Sequence, residues 1–302
     1  MQVCVPSYID NYQSSLVEER IYKLLSVLNS CTLCPHECRV NRLKGEKGIC
    51  QASDKISVSS VFPHFGEEPP LVGRRGSGTI FFANCNLRCA FCQNHDISHQ
   101  NNGSETTPEG LAKLMLYLQD IGCLNINFVT PTHYATQIVQ ALSIALEMGL
   151  NIPLVWNCSG YDSLDVIKLL DGIIDIYMPD VKFGDIENAK HLTTAHNYFV
   201  NAKPLLKEMY RQVGDLELDD NGIGVKGLLV RHLVMPNDSA GSKNILKFIA
   251  EEVSQHTYIN IMEQYHPAFQ TFKHPGINRR ITPDEYSEVL QYAREVGLYR
   301  GF

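Results

Sequence analysis

From residue 77 onward the chain alternates between two kinds of segment. Apolar runs at "GTIFFAN" (78–84), "NINFVT" (125–130), "IPLVWN" (152–157), "IDIYMPD" (174–180), "GLLVRHLVM" (227–235) and "YINIME" (258–263) read as strands. Helical patterns lie between and after them, at 107–120, 134–149, 163–171, about 186–213 in one or two pieces, 242–254 and 283–297. Strands apolar throughout and rich in Val, Ile and Phe are buried on both faces. Strict alternation with helices means βα units on a parallel sheet. A closed eight-unit barrel needs about 250 residues, more than residues 77–302 supply. The expected fold class is therefore α/β, a partial (βα)6 TIM-like barrel of parallel strands over 77–302, preceded by an N-terminal helix and cysteine-rich metal-binding segment over 1–76. Within that segment residues 11–29 read as a helix, with Leu16, Ile21, Leu24, Leu25 and Leu28 on its apolar positions. "KISVSSVFPHFGEEPPLVG" (55–73) reads as a short strand and then an irregular, Pro-rich connector.

The 302 residues carry a net charge of −7, with 44% hydrophobic and 20% charged residues, an ordinary globular balance. An acidic chain with no Lys/Arg run longer than Arg74–Arg75 or Arg279–Arg280 argues against nucleic acid as a partner. The N-terminus lacks a basic region followed by an apolar core, and no stretch approaches the roughly 20 apolar residues of a membrane span. The expected compartment is the cytoplasm, with no membrane partner.

In a reducing compartment ten cysteines are not a disulfide framework. Seven fall in two groups, and clustered thiols there bind metal. Cys4, Cys123 and Cys158 stand alone and read as small buried hydrophobes. The first group, Cys31, Cys34, Cys38 and Cys50, follows CX2CX3CX11C. Four thiolates fill a zinc ion or an iron–sulfur cubane completely, so this is a closed site. Gly45 and Gly48 let the loop fold tightly, and His36 is a spare ligand. The spacing does not separate structural zinc from an auxiliary cluster.

The second group, Cys85, Cys89 and Cys92, falls at the carboxyl end of the first barrel strand, where chemistry gathers in parallel α/β sheets. Zinc needs a fourth ligand, and only His95 is at a usable spacing. Three thiolates on a 4Fe–4S cluster leave one iron open, as a catalytic site requires.

CX3CX2C with Phe91 before the last cysteine, after the first strand of a βα barrel, resembles the radical S-adenosylmethionine superfamily. "CTLCPHECRV", "GEEPPLVGRRGSGTIFFANCNLRCAFCQNHDIS", "NINFVTPTHY", "DIYMPDVKF" and "VRHLVMP" together are similar to a branch related to pyruvate formate-lyase activating enzymes, from about Cys31 to Gly297. The resemblance implies a 4Fe–4S cluster on Cys85, Cys89 and Cys92 whose open iron holds S-adenosylmethionine. Reductive cleavage then gives a 5′-deoxyadenosyl radical that takes hydrogen from a substrate, with flavodoxin or ferredoxin as electron donor. The substrate is a protein, as for a glycyl-radical activase, or a small molecule or peptide. The non-enzymatic alternative is a metal-binding module.

The resemblance also assigns cofactor-binding positions. The superfamily's Gly-Gly-Glu stretch corresponds to Thr130–His133, which has no acidic residue; Thr130, Thr132 and His133 offer hydroxyls, an imidazole and carbonyls. Asn157 and Ser159 stand where the ribose is met, with Gly160 permitting close approach. Asp180 and Lys182 match an Asp-X-Lys element that serves the cofactor's charged end. Arg231 interrupts an apolar strand with His232 and must find a carboxylate, the cofactor's or an internal one. His266 matches a histidine near the nucleoside.

Overall fold

The computed structural model describes residues 5–13 and 16–302. Cys4 lies outside the described residues. The sheet contains β1 (Ile56–His64), β2 (Ser77–Phe82), β3 (Ser104–Thr106), β4 (Ile126–Val129), β5 (Leu154–Cys158), β6 (Ile176–Pro179), β7 (Glu217–Leu218), β8 (Gly224–Leu233) and β9 (Tyr258–Met262). The helices are α1 (Ser7–Gln13), α2 (Leu16–Val27), α3 (Pro69–Val72), α4 (His95–Gln100), α5 (Pro108–Asp120), α6 (Ala135–Glu147), α7 (Leu164–Leu169), α8 (Ile186–Leu192), α9 (Tyr198–Val213), α10 (Ser242–Phe248) and α11 (Pro283–Glu295).

Strands β2, β4, β5, β6, β8 and β9 pair in that order, all parallel, with registers such as Ile80↔Phe128, Phe128↔Trp156 and Val230↔Ile259. Each is an apolar run of the sequence, and helices follow on the outside, so the fold is an α/β partial barrel. Its six parallel strands place all six carboxyl ends on one side. No helix among the described residues is long and apolar enough to cross a membrane.

The structure adds what the sequence pattern did not show. β1 extends over nine residues and pairs antiparallel with β2, Val61 opposite Ile80. Pro63 is tolerated because the other neighbour, β3, pairs only with Ile56–Val58, leaving an edge there. The run 186–213 breaks into α8 and α9, and the helix read at 11–29 is α1 and α2. β3, β7 and α4 carry no periodic signal, being too short to show one.

The N-terminal segment does not stand apart from the barrel. Val17, Leu24 and Leu28 are buried in one continuous core with Ile138, Leu142, Trp156 and Leu298. Asp175, just before β6, accepts the Ser7 N–H at 2.7 Å and the Leu154 N–H at 2.9 Å. The Tyr8 hydroxyl donates to the Ile152 carbonyl at 2.7 Å. Leu24→Ala should therefore cost about 2–5 kcal/mol. The loss should register equally in helical circular dichroism and in the fluorescence of Trp156, the single tryptophan, which lies in the barrel. An unchanged tryptophan midpoint would mean that the N-terminal segment folds independently.

Candidate active site

After β2 the chain turns sharply. Asn84 and Arg88 take φ of +74 and +46, the left-handed region that non-glycine residues seldom occupy. Between the cysteines, Leu87 and Phe91 are buried. Phe91 packs edge-on to Phe183 with ring centres 5.9 Å apart. Neighbouring segments stitch the loop down: Ala90 N–H donates to Leu192 O at 2.8 Å, Thr194 N–H to Leu87 O at 3.0 Å, and Gln270 N–H to Ala90 O at 2.9 Å. With the apolar side chains anchored in the core, Cys85, Cys89 and Cys92 all line one cavity.

That cavity is about 330 Å³, and Thr130, Asn157, Ser159, Asp180, Lys182 and Arg231 line it as well. Six of the resemblance's nine cofactor positions therefore meet the three thiols in space. Asp180 is the centre of a charge network. Its Oδ2 accepts from Lys182 Nζ at 2.6 Å and its Oδ1 from Arg231 Nε at 2.6 Å. Burial pushes the Asp180 carboxyl up, but Arg231 and Lys182 outweigh it and hold it at about 2. Burial likewise works against the Lys182 ammonium, and Asp180 and Cys89 more than compensate, so its pKa is raised. Both groups are charged at neutral pH.

Each of the three Arg231 side-chain nitrogens has a hydrogen-bond partner. Beyond Asp180 it donates to Asn157 Oδ1 at 2.8 Å and to Glu67 Oε2 at 3.1 Å, with Glu68 at 3.8 Å. Glu68 in turn accepts from Asn260 Nδ2 of β9 at 2.9 Å. The carboxylate that Arg231 needed is thus internal. Glu67 and Glu68 were not singled out in the sequence; their one signal was an adjacent acid pair in the otherwise apolar "GEEPPLVG". Burial pushes Glu67 up to about 7, against Arg231 and with Glu68 adding to the rise.

The carboxyl end of β5 and the turn after it bring Asn157 and Ser159 to the cavity. Gly160 takes φ +69, and a Cβ there would stand 2.8 Å from the Tyr198 hydroxyl and 2.9 Å from the Asp180 carbonyl oxygen. That hydroxyl accepts the Lys182 N–H at 2.9 Å and lies within donating distance of both the Ser159 and Asp180 carbonyls. It ties the ends of β5 and β6 together. Thr130 takes φ +60, a costly conformation for a β-branched residue.

Three sequence candidates do not line this cavity. The Thr132 hydroxyl donates to Asp162 Oδ1 at 2.9 Å, and the Trp156 indole N–H donates to the same atom at 3.1 Å. His133 turns inward, and burial, with Arg42, depresses its pKa to about 3. As a neutral imidazole it donates from Nε2 to the Ala83 carbonyl at 2.8 Å. His266 stands outside, its Nδ1 3.2 Å from Nε2 of the cavity residue Gln93.

The donor set fits a cluster with an open position. The Leu87 N–H reaches Cys85 Sγ at 3.4 Å, and the Ser98 hydroxyl lies 3.1 Å from Cys92 Sγ. Hydrogen bonds to ligating sulfur tune such centres. The His95 ring, the fourth ligand a zinc reading needs, is instead stacked on Phe269 with centres 4.9 Å apart. Cys123 is a buried core residue, as expected. Cys158 is buried too, but it also lines the cavity.

The other four cysteines, Cys31, Cys34, Cys38 and Cys50, line a separate small space with His36, Arg42, Thr132 and His133. Gly48 is required there, because a Cβ would lie 2.7 Å from Cys38 Sγ. As the side chains lie, no three Cys, His, Asp or Glu residues form a ready-made metal-binding group among the described residues.

The family model of the Radical SAM superfamily matches residues 79–249. An uncharacterized protein of Methanocaldococcus jannaschii is 32% identical over 300 residues, covering 96% of this chain and 82% of that one. The pyruvate formate-lyase-activating enzyme of Clostridium pasteurianum is 25% identical over 190 residues, 61% of this chain and 73% of that one. Among solved structures, HydG, a maturase of the FeFe-hydrogenase, aligns with a TM-score of 0.49 and 15% identity. The alignment covers 74% of this chain and 50% of that one, so this chain spans about half the maturase's length. anSMEcpe with bound AdoMet aligns with a TM-score of 0.45 and 12% identity, over 70% of this chain and 57% of that one.

The buried acid pair has a measurable consequence. A carboxyl raised from 4.5 to about 7 in the folded protein stabilises it most below pH 4.5, and that stability is lost as pH rises to 7. Wild type should therefore lose stability between about pH 5 and 7 in denaturant titrations, and Glu67→Gln should flatten that decline. Parallel profiles for the two proteins would show that Glu67 is ionised throughout.

Proposed function

This chain belongs to the radical SAM superfamily, and on that premise we propose that it is an activase-like radical enzyme that takes hydrogen from a protein substrate. The observation that carries the reading is the convergence of the Cys85, Cys89 and Cys92 thiols and the Asp180–Lys182 pair on one cavity. Cys85, Cys89 and Cys92 would hold the 4Fe–4S cluster. With S-adenosylmethionine bound at its open iron, that group supplies one-electron cleavage to a 5′-deoxyadenosyl radical.

The chain's own residues orient and compensate. Lys182 spends one of its ammonium donors on Asp180 and keeps the others for a carboxylate. Asp180 offers the cofactor's ammonium a negative partner that the Thr130–His133 stretch lacks. Asn157 and Ser159 supply polar contacts for a ribose. Arg231 acts as a positioning residue: each of its three nitrogens donates, to Asp180, Asn157 and Glu67, so it fixes the carboxylate. Flavodoxin or ferredoxin would deliver the electron, in the cytoplasm.

The protein-substrate reading is supported by the relative named as a pyruvate formate-lyase-activating enzyme. A second reading, a small molecule or short peptide, is favoured by Gln93 and Gln264, which add neutral polar anchors to the cavity wall.

Reconstituted without oxygen and reduced, the protein should convert S-adenosylmethionine to 5′-deoxyadenosine. A Cys85→Ala/Cys89→Ala/Cys92→Ala variant that still does so would sink the reading. Asp180→Ala and Lys182→Ala each remove a charge-assisted hydrogen bond, worth roughly 1.5–3 kcal/mol. Calorimetry on the reconstituted proteins should find S-adenosylmethionine binding weakened roughly ten- to a hundred-fold with iron content unchanged. Unaltered affinity in both variants would leave the pair as an internal ion pair only.

A further inference from the structure

We propose that Cys31, Cys34, Cys38 and Cys50 hold a second metal centre, a net-negative tetrathiolate, and that Arg42 is its buried counter-cation. This goes beyond the radical chemistry and does not depend on it.

Arg42 is only 1% exposed, yet it forms no ion pair with a carboxylate among the described residues. Its terminal nitrogens donate to backbone carbonyls, His133 O at 2.6 Å and Ser53 O. Its Nε has no partner. Its guanidinium lies 5.9 Å from the centre of the Tyr134 ring. A buried guanidinium without a counter-charge is strongly destabilising. What Arg42 does face is the small space lined by the four thiols; Glu37, the one carboxylate at its edge, pairs with Arg39 at 2.6 Å instead. Neutral thiols offer it no charge. Four thiolates around a zinc ion or an iron–sulfur cluster do, and buried thiols give up their protons to a metal.

The backbone supplies an independent observation. Glu37, Arg39 and Gln51 hold φ of +41, +54 and +64, and each adjoins Cys38 or Cys50. Residues held in such conformations persist where their surroundings over-determine them. Short turns also close the loop: Glu37 N–H donates to Cys34 O at 3.0 Å, and Gln51 N–H to Gly48 O at 3.0 Å. Four ligands on one metal would hold all three residues in place. The loop also touches the catalytic turn, since the His36 ring nitrogen lies 2.8 Å from Asn86 O, next to Cys85.

The test uses the full chain carrying Cys85→Ala/Cys89→Ala/Cys92→Ala, so that any metal retained belongs to the second site. Metal analysis after loading with zinc, or with iron and sulfide without oxygen, should find one zinc or one cluster per chain. Which of the two is retained identifies the metal, and adding Cys31→Ser/Cys34→Ser should abolish it. A folded variant that retains neither overturns the site, whatever the fate of the radical reading. In the same background, Arg42→Met should weaken metal retention against a competing chelator roughly tenfold or more, while Arg42→Lys, which keeps the charge, should lose less. Arg42→Met should also destabilise the loaded protein more than the metal-free one. Equal destabilisation of both, with chelator competition unchanged, would overturn the counter-cation role.

Discussion

The guanidinium of Arg231 is where the separate pieces of the barrel meet. It reaches Asp180 after β6, Asn157 in β5 and Glu67 in the connector that leads into β2. A cation inside a barrel loses its hydration, a penalty of several kcal/mol unless good partners replace the water. Six strands do not close a barrel, and the acidic connector supplies the counter-charge that the remaining wall lacks. Glu68 extends the same network to Asn260 on β9. The order of Asp180 and Lys182 at the cavity follows from this: with Arg231 fixed, the Asp180 carboxylate has one oxygen left for Lys182.

The cysteine loop obeys the opposite physics on its two sides. Leu87 and Phe91 are drawn into the core, and neighbouring backbones tie the loop down from outside. The sulfurs are left on the remaining side, facing a space large enough for a cofactor. The N-terminal cysteines share no such room; their space is small and a buried arginine faces it. One group therefore has the form of an open site and the other of a closed one.

Much of this was legible in the residues. Six apolar runs gave the six parallel strands nearly to their ends, because burial makes most positions of each strand apolar. Asn157, Ser159, Asp180 and Lys182 could be picked out because each falls at a strand's carboxyl end, and that end is common to all the strands. Thr132 and His133 had the same credential and failed to reach the cavity. Both sit in the turn that begins α6, where the chain curls away, and their side chains satisfy Asp162 and Ala83 instead. Glu67 and Glu68 were illegible for a different reason: nothing local distinguishes a solvated acid pair from one folded against an arginine 164 residues away.

The sequence by itself determined the alternation of strand and helix, the two cysteine groups and the place of the three-thiol loop after the first barrel strand. Those are properties of spacing and hydrophobicity, which act over a few residues. Only the tertiary structure decided that β1 continues through Pro63 as an edge strand, that Arg231 is neutralised from within, and that Arg42 is buried beside four thiols without a carboxylate. Each of these depends on which groups lose water together, and that is settled by packing between segments far apart in the chain.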